Sequence, residues 1–552
     1  MIKTIHLPFD ARLLPLKTLN TSAFSCMYEY GKLRYIKIGT VEVVRMIYAA
    51  VRDENWNTIP YQVEDEKIEE REDGFIIRYV SIFQSNGIYY KAAIHIEAKD
   101  YRITFSIKGE ALSSFKRNRI GICALHPIND SVCKEANINR PDGTEYTSMF
   151  PEYVNPVQPF KDIMQMQWPV NESYDARLEF YGDIFETEDQ RNWSDNSYKT
   201  YSTPVELPLP VQVKIGDVVE QKMVLSLIPK RNAAATEPSL LPTSAKLPFP
   251  KIGYNRVGKK HLDNELIRLL QDLPFDHYRV ELLLSATGWK DELADALRGS
   301  KKLETKLELI IYFSNQYETE LENFVRILRD IKDDIKSVLV LQVNHAFTPT
   351  RMLRIVYPAL KGISSAIKVG YGTDGNFSEL NRNLPGDTDY DFVSFSLTPQ
   401  AHLNDTRTIL ENLDSQRTIL KTLRYQIGDD KEVHVFITFK SRIRHQTPGD
   451  AFPADNDDRL HGSFGAAWTL LTIQNLSTVQ LSFYDTIGYK GIVPNRPSEL
   501  YNVLNEIRVF KPVSIIPSSL SNSAEVVLEN AERHRLVFIL DRQYFQYNTE
   551  TI

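Results

Sequence analysis

Polar side chains that could do chemistry are most concentrated in residues 183–200, a stretch that combines acids, amides, two cations and Trp193. Such a mixture supplies hydrogen-bond acceptors, donors and an apolar face, which together suit a polyhydroxylated ligand. A solvated loop is the alternative interpretation, but Trp193 and Tyr198 would be costly on an open loop. Within this stretch the candidate residues are Glu188, Asp189, Arg191 and Asn192.

The second half of the chain has a repeating strand–helix pattern that could position such groups. Eight short apolar segments occur there, most of them followed by an amphipathic helix pattern, and they span 251–257, 277–284, 306–313, 337–343, 364–372, 391–397, 432–439 and 477–484. Eight strand–helix units in roughly 260 residues predict a (β/α)₈ barrel. An open doubly wound sheet is less favoured, because no Gly-x-Gly-x-x-Gly turn follows the first strand.

The first half of the chain predicts a different fold. Strand-like segments separated by turn residues dominate it, for example 87–99 and 101–110, which favours an antiparallel β-sandwich. Five prolines in 229–251 then mark a linker, since proline continues neither a helix nor a central strand. We expect a multidomain protein with a sandwich at 1–228, a linker at 229–250, a TIM-like barrel at 251–512 and a C-terminal β segment at 513–552 that packs on the sandwich.

In a (β/α)₈ barrel, the functional groups lie at the carboxyl ends of the strands. Applied to the predicted strands, this rule nominates Glu281, His345, Asp374, Glu379, His402, Lys440 and Asp485. Together with the 183–200 stretch, we expect catalytic roles for Glu188, Asp189, Glu281, Glu379 and His402. Substrate-binding roles are expected for Arg191, Asn192, His345, Asp374, Lys440 and Asp485.

Each candidate also has a structural alternative. Glu188 and Asp189 could be a surface acid pair, and Arg191 could pair with Glu188. Glu281 lies in an apolar run, where an unpaired carboxylate is expensive, so it either points into the barrel mouth or pairs with Arg279. His402 is a plausible base because its charge changes near neutral pH.

Several functional classes are disfavoured. The net charge of −7 gives no basic excess for nucleic acid, and no apolar run is long enough to span a membrane. Three cysteines fit a reducing, cytoplasmic location. No His-Glu-x-x-His, Gly-x-Ser-x-Gly or P-loop motif occurs, so we expect no metal and no cofactor, although a metal held by His345, Asp374 and His402 stays open.

Several segments resemble the D-apionolactonase (D-apionate lactonase) family of bacterial apiose catabolism, in matching order across some 400 residues. They lie at 119–123, 125–127, 150–160, 188–195, 199–200, 372–382, 399–402 and 464–470. The resemblance implies a sandwich-plus-barrel enzyme, a carboxylic ester hydrolase that opens a sugar-acid lactone. The substrate that the resemblance implies is D-apionolactone.

A lactonase also agrees with an absence in the predicted barrel. Retaining glycosidases need two carboxylates that flank the bond, but strands 4 and 7 end in Asn344-His345 and Lys440. Opening a cyclic ester needs only a base for water and donors for the oxyanion. Two alternatives remain: a glycoside hydrolase with displaced acids among Glu188, Glu281, Glu379 and Asp485, and a non-catalytic sugar-binding protein.

Overall fold

The computed structural model describes residues 2–230, 246–257, 261–439, 457–488, 491–493, 498–516 and 525–545. The chain divides into two compact units. One contains Leu13–Arg191 and Asn196–Leu240, and the other contains Met1–Arg12, Asn192–Asp195 and Leu241–Ile552. Most of the predicted linker, 231–245, lies outside the described residues, and the predicted domain boundaries stay predictions.

The first unit is an antiparallel β-sandwich of two nine-stranded sheets. One sheet consists of Lys17–Asn20, Ser25–Glu29, Lys32–Ile38, Val41–Asp53, Phe115–Pro127, Phe160–Ile163, Phe185–Asp189, Ser197–Tyr201 and Val211–Val213. The other consists of Tyr61–Arg71, Gly74–Ser85, Ile88–Lys99, Arg102–Ala111, Glu135–Asn139, Glu145–Met149, Gln165–Pro169, Tyr174–Tyr181 and Val218–Pro229. A four-residue helix, Ile128–Ser131, interrupts the strands.

The sandwich forms because its strands alternate. Along Ile88–Lys99, buried residues alternate with exposed or half-buried ones, so that every second side chain faces the partner sheet. Side chains from both sheets, including Ile47, Phe105 and Trp168, share one apolar core. The predicted sandwich is confirmed.

The second unit contains a closed parallel barrel. Its eight strands, numbered here in chain order, are Lys251–Asn255, His277–Leu283, Lys306–Phe313, Ile335–Gln342, Lys368–Asn376, Phe392–Leu397, Glu432–Ile437 and Gln480–Ile487. The first strand pairs in parallel with both the second and the eighth, which closes the barrel. Most of these strands are buried on both faces, as in Lys306–Phe313, because helices cover the outside. The predicted barrel is therefore confirmed.

The α-helices around the barrel are Asn264–Gln271, Trp289–Lys302, Tyr317–Ile331, Thr350–Lys361, Phe377–Arg382, Thr406–Glu411, Ser415–Ile427, Ser463–Asn475 and Glu499–Phe510. Local signals explain several of their starts. Asp263, Asp405 and Ser498 each accept a backbone N–H of the first helical turn, as good N-cap residues do. Within the described residues, no helix combines the length and the apolar character needed to cross a membrane.

The C-terminal strands confirm the expected extra β segment and show where it pairs. Pro512–Ile516, Glu525–Asn530 and Arg535–Leu540 form a five-stranded sheet with Ile2–Leu7 and Leu247–Pro248. The sheet is separate from the two sandwich sheets and belongs to the same compact unit as the barrel. Leu247–Pro248 lies at its edge, where the proline costs no ladder hydrogen bond.

Candidate active site at the barrel mouth

The segment Asn192–Asp195 belongs to the barrel unit, although it is flanked in sequence by sandwich strands. Three side chains from the helices that follow barrel strands 5 and 6 hold it. Asn381 donates to the Asn192 side chain (2.9 Å), Ser415 donates to the Ser194 carbonyl (2.7 Å), and Asn412 donates to Asp195 (3.1 Å). The segment is therefore fixed at the carboxyl end of the barrel strands.

His402 and Asp195 form a buried hydrogen-bonded pair there. The imidazole Nδ1 lies 2.5 Å from Asp195 Oδ2, and the other carboxylate oxygen, Oδ1, accepts from Asn412. His402 is only 7 % exposed. Because a carboxylate accepts, Nδ1 carries a proton, and the lone pair of a neutral ring is then on Nε2. This is the arrangement of an oriented general base.

Trp193 lies beside this pair. Its ring is nearly parallel to the His402 imidazole, at 15° and 6.3 Å between centroids, and the Arg382 guanidinium carbon lies 4.9 Å from the indole ring centroid. The next residue, Ser194, has a φ of 75°, which is unfavourable for a residue with a Cβ. Such strain costs about 1–3 kcal/mol and is common where a functional segment is held in place. Here it lies between the two side chains that contact His402.

A second polar group joins barrel strands 1, 2 and 8. Arg279 donates to Glu281 (2.5 Å) and to the Asn255 side-chain oxygen (2.9 Å). Asn255 in turn donates from its amide nitrogen to Asp485 (2.9 Å). The predicted residues Glu281 and Asp485 are thus connected through two residues that were not nominated for the site.

Asp374 lies on strand 5, and Glu379 lies on the helix that follows it. Tyr312 donates its hydroxyl to Asp374 Oδ2 at 2.6 Å. Burial, together with the neighbouring Asp374 and Glu281 carboxylates, raises the pKa of Tyr312 well above its usual range, so that the phenol stays a donor. Glu379 lies half-buried on the helix Phe377–Arg382. Asp374 therefore has a fixed orientation at the strand end.

The candidates in the sandwich have partners within the sandwich. Glu188 forms an ion pair with the buried Lys199; burial favours the neutral acid, but Lys199 and Arg119 outweigh it and lower the pKa of Glu188. Arg191 is fully buried and makes two hydrogen bonds to Asp189, at 2.9 and 2.7 Å. It also donates to the carbonyls of Glu152 and Pro151. These contacts are those of a structural ion pair.

The remaining candidates are less constrained. His345 is exposed, with Nδ1 3.2 Å from the Val343 carbonyl oxygen, and Lys440 lies outside the described residues. Sequence reasoning missed Asp195, Asn412 and Tyr312 as site residues. Asp195 lies inside the polar stretch that was singled out, but nothing local marks it as the partner of a histidine 207 residues away. Within the described ranges, no group of three or more His, Cys, Asp or Glu side chains could hold a metal ion.

Comparisons with known proteins agree with this architecture. The family model described as the N-terminal domain of D-apionate lactonase matches residues 9–230, and the one described as its TIM barrel domain matches residues 256–514. The D-apionate lactonase of Brucella anthropi is 30 % identical over 473 residues, which cover 80 % of this chain and 77 % of that protein.

Two solved structures share a weaker likeness. The GH36 α-galactosidase AgaA of Geobacillus stearothermophilus is 10 % identical with a TM-score of 0.28, covering 94 % of this chain and 90 % of that one. The family 51 α-L-arabinofuranosidase AbfB of Bifidobacterium longum is 13 % identical with a TM-score of 0.39, covering 53 % and 82 %. Similarities this low carry no argument about function.

Proposed function

The chain belongs to the D-apionate lactonase family, and on that premise we propose that it hydrolyses a sugar-acid lactone, with D-apionolactone as substrate and D-apionate as product. The observation that carries the proposal is the buried His402–Asp195 pair beside Trp193 at the barrel mouth. An oriented imidazole is the group that ester hydrolysis needs in order to activate water. The name of the Brucella anthropi relative supports the choice of substrate.

His402 has two tasks in the proposed reaction. It takes a proton from water as the water oxygen attacks the lactone carbonyl carbon, and Asp195 stabilises the imidazolium that forms. The tetrahedral intermediate then collapses, the ring C–O bond breaks, and the leaving alkoxide takes the proton from His402. The carboxylic acid that results ionises at neutral pH, so each turnover releases one proton.

The strand-end acids have a different task. Glu281, Asp374 and Asp485 are proposed to accept hydrogen bonds from the hydroxyl groups of the sugar, and the half-buried Trp193 offers an apolar surface for the ring. A lactonase does not require two of these acids to flank a glycosidic bond. The reaction therefore suits a mouth whose acids are bound to Arg279, Tyr312 and Asn255.

The cellular setting is also proposed. We infer a role in bacterial carbohydrate catabolism, which the relative from Brucella anthropi supports. A cytoplasmic location is supported by the three free cysteines, Cys26, Cys123 and Cys133, two of which are buried.

Acid release in a pH-stat at neutral pH tests the proposal. Purified protein is expected to hydrolyse D-apionolactone well above the spontaneous rate. No rate above the spontaneous one would refute the proposed function. The two alternatives are tested with the same preparation: turnover of nitrophenyl glycosides alone would favour a glycoside hydrolase, and lactone binding without turnover would favour a sugar-binding protein.

A further inference from the structure

Arg279 is a buried cation inside the barrel. It is the third residue of strand 2 and is 3 % exposed. Its guanidinium carbon lies 4.3 Å from the ring centroid of Phe436, on strand 7, so the side chain crosses the barrel interior. Branched apolar residues usually fill this space, and a buried charge costs several kcal/mol unless it is well paired. The position therefore calls for a functional explanation.

The partners of Arg279 lie on the side of the barrel where the candidate site is. Nη1 donates to Glu281, two residues further along the same strand, and to the side-chain oxygen of Asn255 at the end of strand 1. Because the Asn255 oxygen accepts from Arg279, its amide nitrogen is the atom that donates to Asp485. One guanidinium thus fixes a carboxylate on strand 2 directly and one on strand 8 through an amide.

Arg279 and the two acids that it holds differ in charge and in solvent exposure. Burial lowers the pKa of Arg279, but Glu281 and Glu308 outweigh burial and raise it, so the guanidinium stays charged. The Glu281 side chain is 33 % exposed, whereas that of Arg279 is 4 % exposed. Asp485 is also half-buried. The cation therefore lies beneath the acids, and the acids are the groups within reach of a ligand.

We propose that Arg279 is a positioning residue for substrate recognition, which holds Glu281 and, through Asn255, Asp485 as fixed acceptors for two hydroxyl groups of the sugar lactone. This role rests on the proposed lactonase function and concerns binding, not the proton transfer assigned to His402. Fixed, charged acceptors discriminate strongly against a ligand that lacks the matching hydroxyl, because the acceptor is then left unpaired. Arg279 itself does not contact the substrate.

Two substitutions test the role of Arg279. Arg279→Lys keeps the charge but loses the planar group that reaches two partners, and Arg279→Met removes the charge. The matched control is Arg34→Lys, which alters a buried Arg–Glu pair of the sandwich, Arg34–Glu29 at 2.7 Å. The measurements are kcat and KM for D-apionolactone, the same constants for a deoxy analogue of that lactone, and the melting temperature.

In Arg279→Lys we expect KM for the lactone to rise about tenfold or more, a smaller change in kcat, and a reduced preference over the deoxy analogue. Arg279→Met is expected to change KM and the preference in the same direction and at least as far. Arg34→Lys is expected to lower the melting temperature and leave KM and the preference unchanged. A folded Arg279→Lys protein with wild-type KM and preference would overturn the role of Arg279 alone. A wild-type protein without lactonase activity would overturn the proposed function, and this role with it.

Discussion

Asp195 Oδ2 lies 2.5 Å from Nδ1 of His402, although the two residues are 207 positions apart in the chain. The contact connects a short segment between sandwich strands to the loop after barrel strand 6. Asn412 holds the second oxygen of Asp195, so the pair has one defined orientation. In the proposed reaction this pair accepts the proton of the attacking water. The contacts around the pair lead to predictions that can be tested by mutation.

Trp193 is expected to contribute to substrate binding more than to the chemical step. Trp193→Ala removes the ring beside His402 and should raise KM for the lactone several-fold, since aromatic contacts of this kind are worth about 0.5–1.5 kcal/mol. Trp193→Phe keeps a ring and should lie between Trp193→Ala and the wild type. Trp289→Phe, which alters a tryptophan that packs on Phe324 at 6.2 Å, serves as the control and should leave KM unchanged. A wild-type KM in Trp193→Ala would exclude a role for this ring in sugar binding.

Arg191 is expected to act on stability alone. Arg191→Lys loses the paired hydrogen bonds to Asp189 and the contacts to the carbonyls of Pro151 and Glu152. Lysine keeps the charge but cannot reproduce these planar contacts, and each buried acceptor left without a donor costs about 1–3 kcal/mol, so the melting temperature should fall clearly. Steady-state kcat and KM of the folded enzyme should remain those of the wild type. If KM instead rises while the melting temperature stays constant, Arg191 is a substrate ligand, as predicted from the sequence.

Glu308 is expected to make the barrel sensitive to acid. It is buried in the barrel and accepts hydrogen bonds from His434 (2.7 Å), Gln480 (2.9 Å) and Ser482 (3.0 Å). Burial raises the pKa of Glu308, but His277, His434 and Arg279 outweigh it and hold the pKa well below its usual range. A carboxyl with a depressed pKa stabilises the fold above about pH 4.3, and this stability is lost as the pH falls through the folded-state pKa.

The two histidines near Glu308, His434 and His277, change the stability of the fold in opposite directions as the pH rises. Burial lowers the pKa of His434, but Glu308 and Glu432 raise it above its usual value, so its contribution is lost as the pH rises through that folded-state value. Burial lowers the pKa of His277 below its usual value, so its contribution is lost as the pH falls below about 6.5.

Melting temperatures measured from about pH 7 to about pH 3 test the role of Glu308. Glu308→Gln should be less stable than the wild type near neutral pH and should lose less stability on acidification. The control is Glu432→Gln, which alters an acid whose side chain is 50 % exposed and lies 3.5 Å from Nε2 of His434. It should change the loss of stability on acidification less than Glu308→Gln does, because solvent screens the exposed carboxylate of Glu432. If the melting temperatures of Glu308→Gln and the wild type fall equally with pH, Glu308 is not the source of the acid sensitivity.

The fold could be predicted because local patterns determine most of it. All eight barrel strands overlap the predicted apolar segments, most of which precede a helix pattern, and the alternation of residues 87–99 corresponds to the strand Ile88–Lys99. The fifth strand begins and ends four residues later than predicted, at Lys368–Asn376, so that Asp374 lies on the strand and not beyond its end. The strand Arg535–Leu540 pairs with Ile2–Leu7, which is far from it in the sequence, and no local pattern encodes such a contact.

The site was harder to predict because its geometry depends on contacts between distant residues. The strand-end rule nominated His402, Glu281 and Asp485 from the strand pattern alone, and their roles stay predictions. It could not identify Asp195 as the partner of His402, since the two are joined only by the fold. Nor could composition show that Arg191 is buried against Asp189, because a charged side chain in a polar stretch is usually exposed.

The kcat of Asp195→Asn for D-apionolactone tests the central claim most directly. The amide should hold His402 in the wrong tautomer, and we expect kcat to fall about 10²- to 10⁴-fold at an almost unchanged KM and melting temperature. The control is His261→Gln, which alters a second His–Asp pair: Nδ1 of His261 lies 2.7 Å from Asp295, on the barrel helix Trp289–Lys302. This exposed pair has no role in the proposed reaction, so His261→Gln should keep the wild-type kcat. An Asp195→Asn enzyme that retains the wild-type kcat would contradict the assignment of His402 and Asp195 as the pair that activates water.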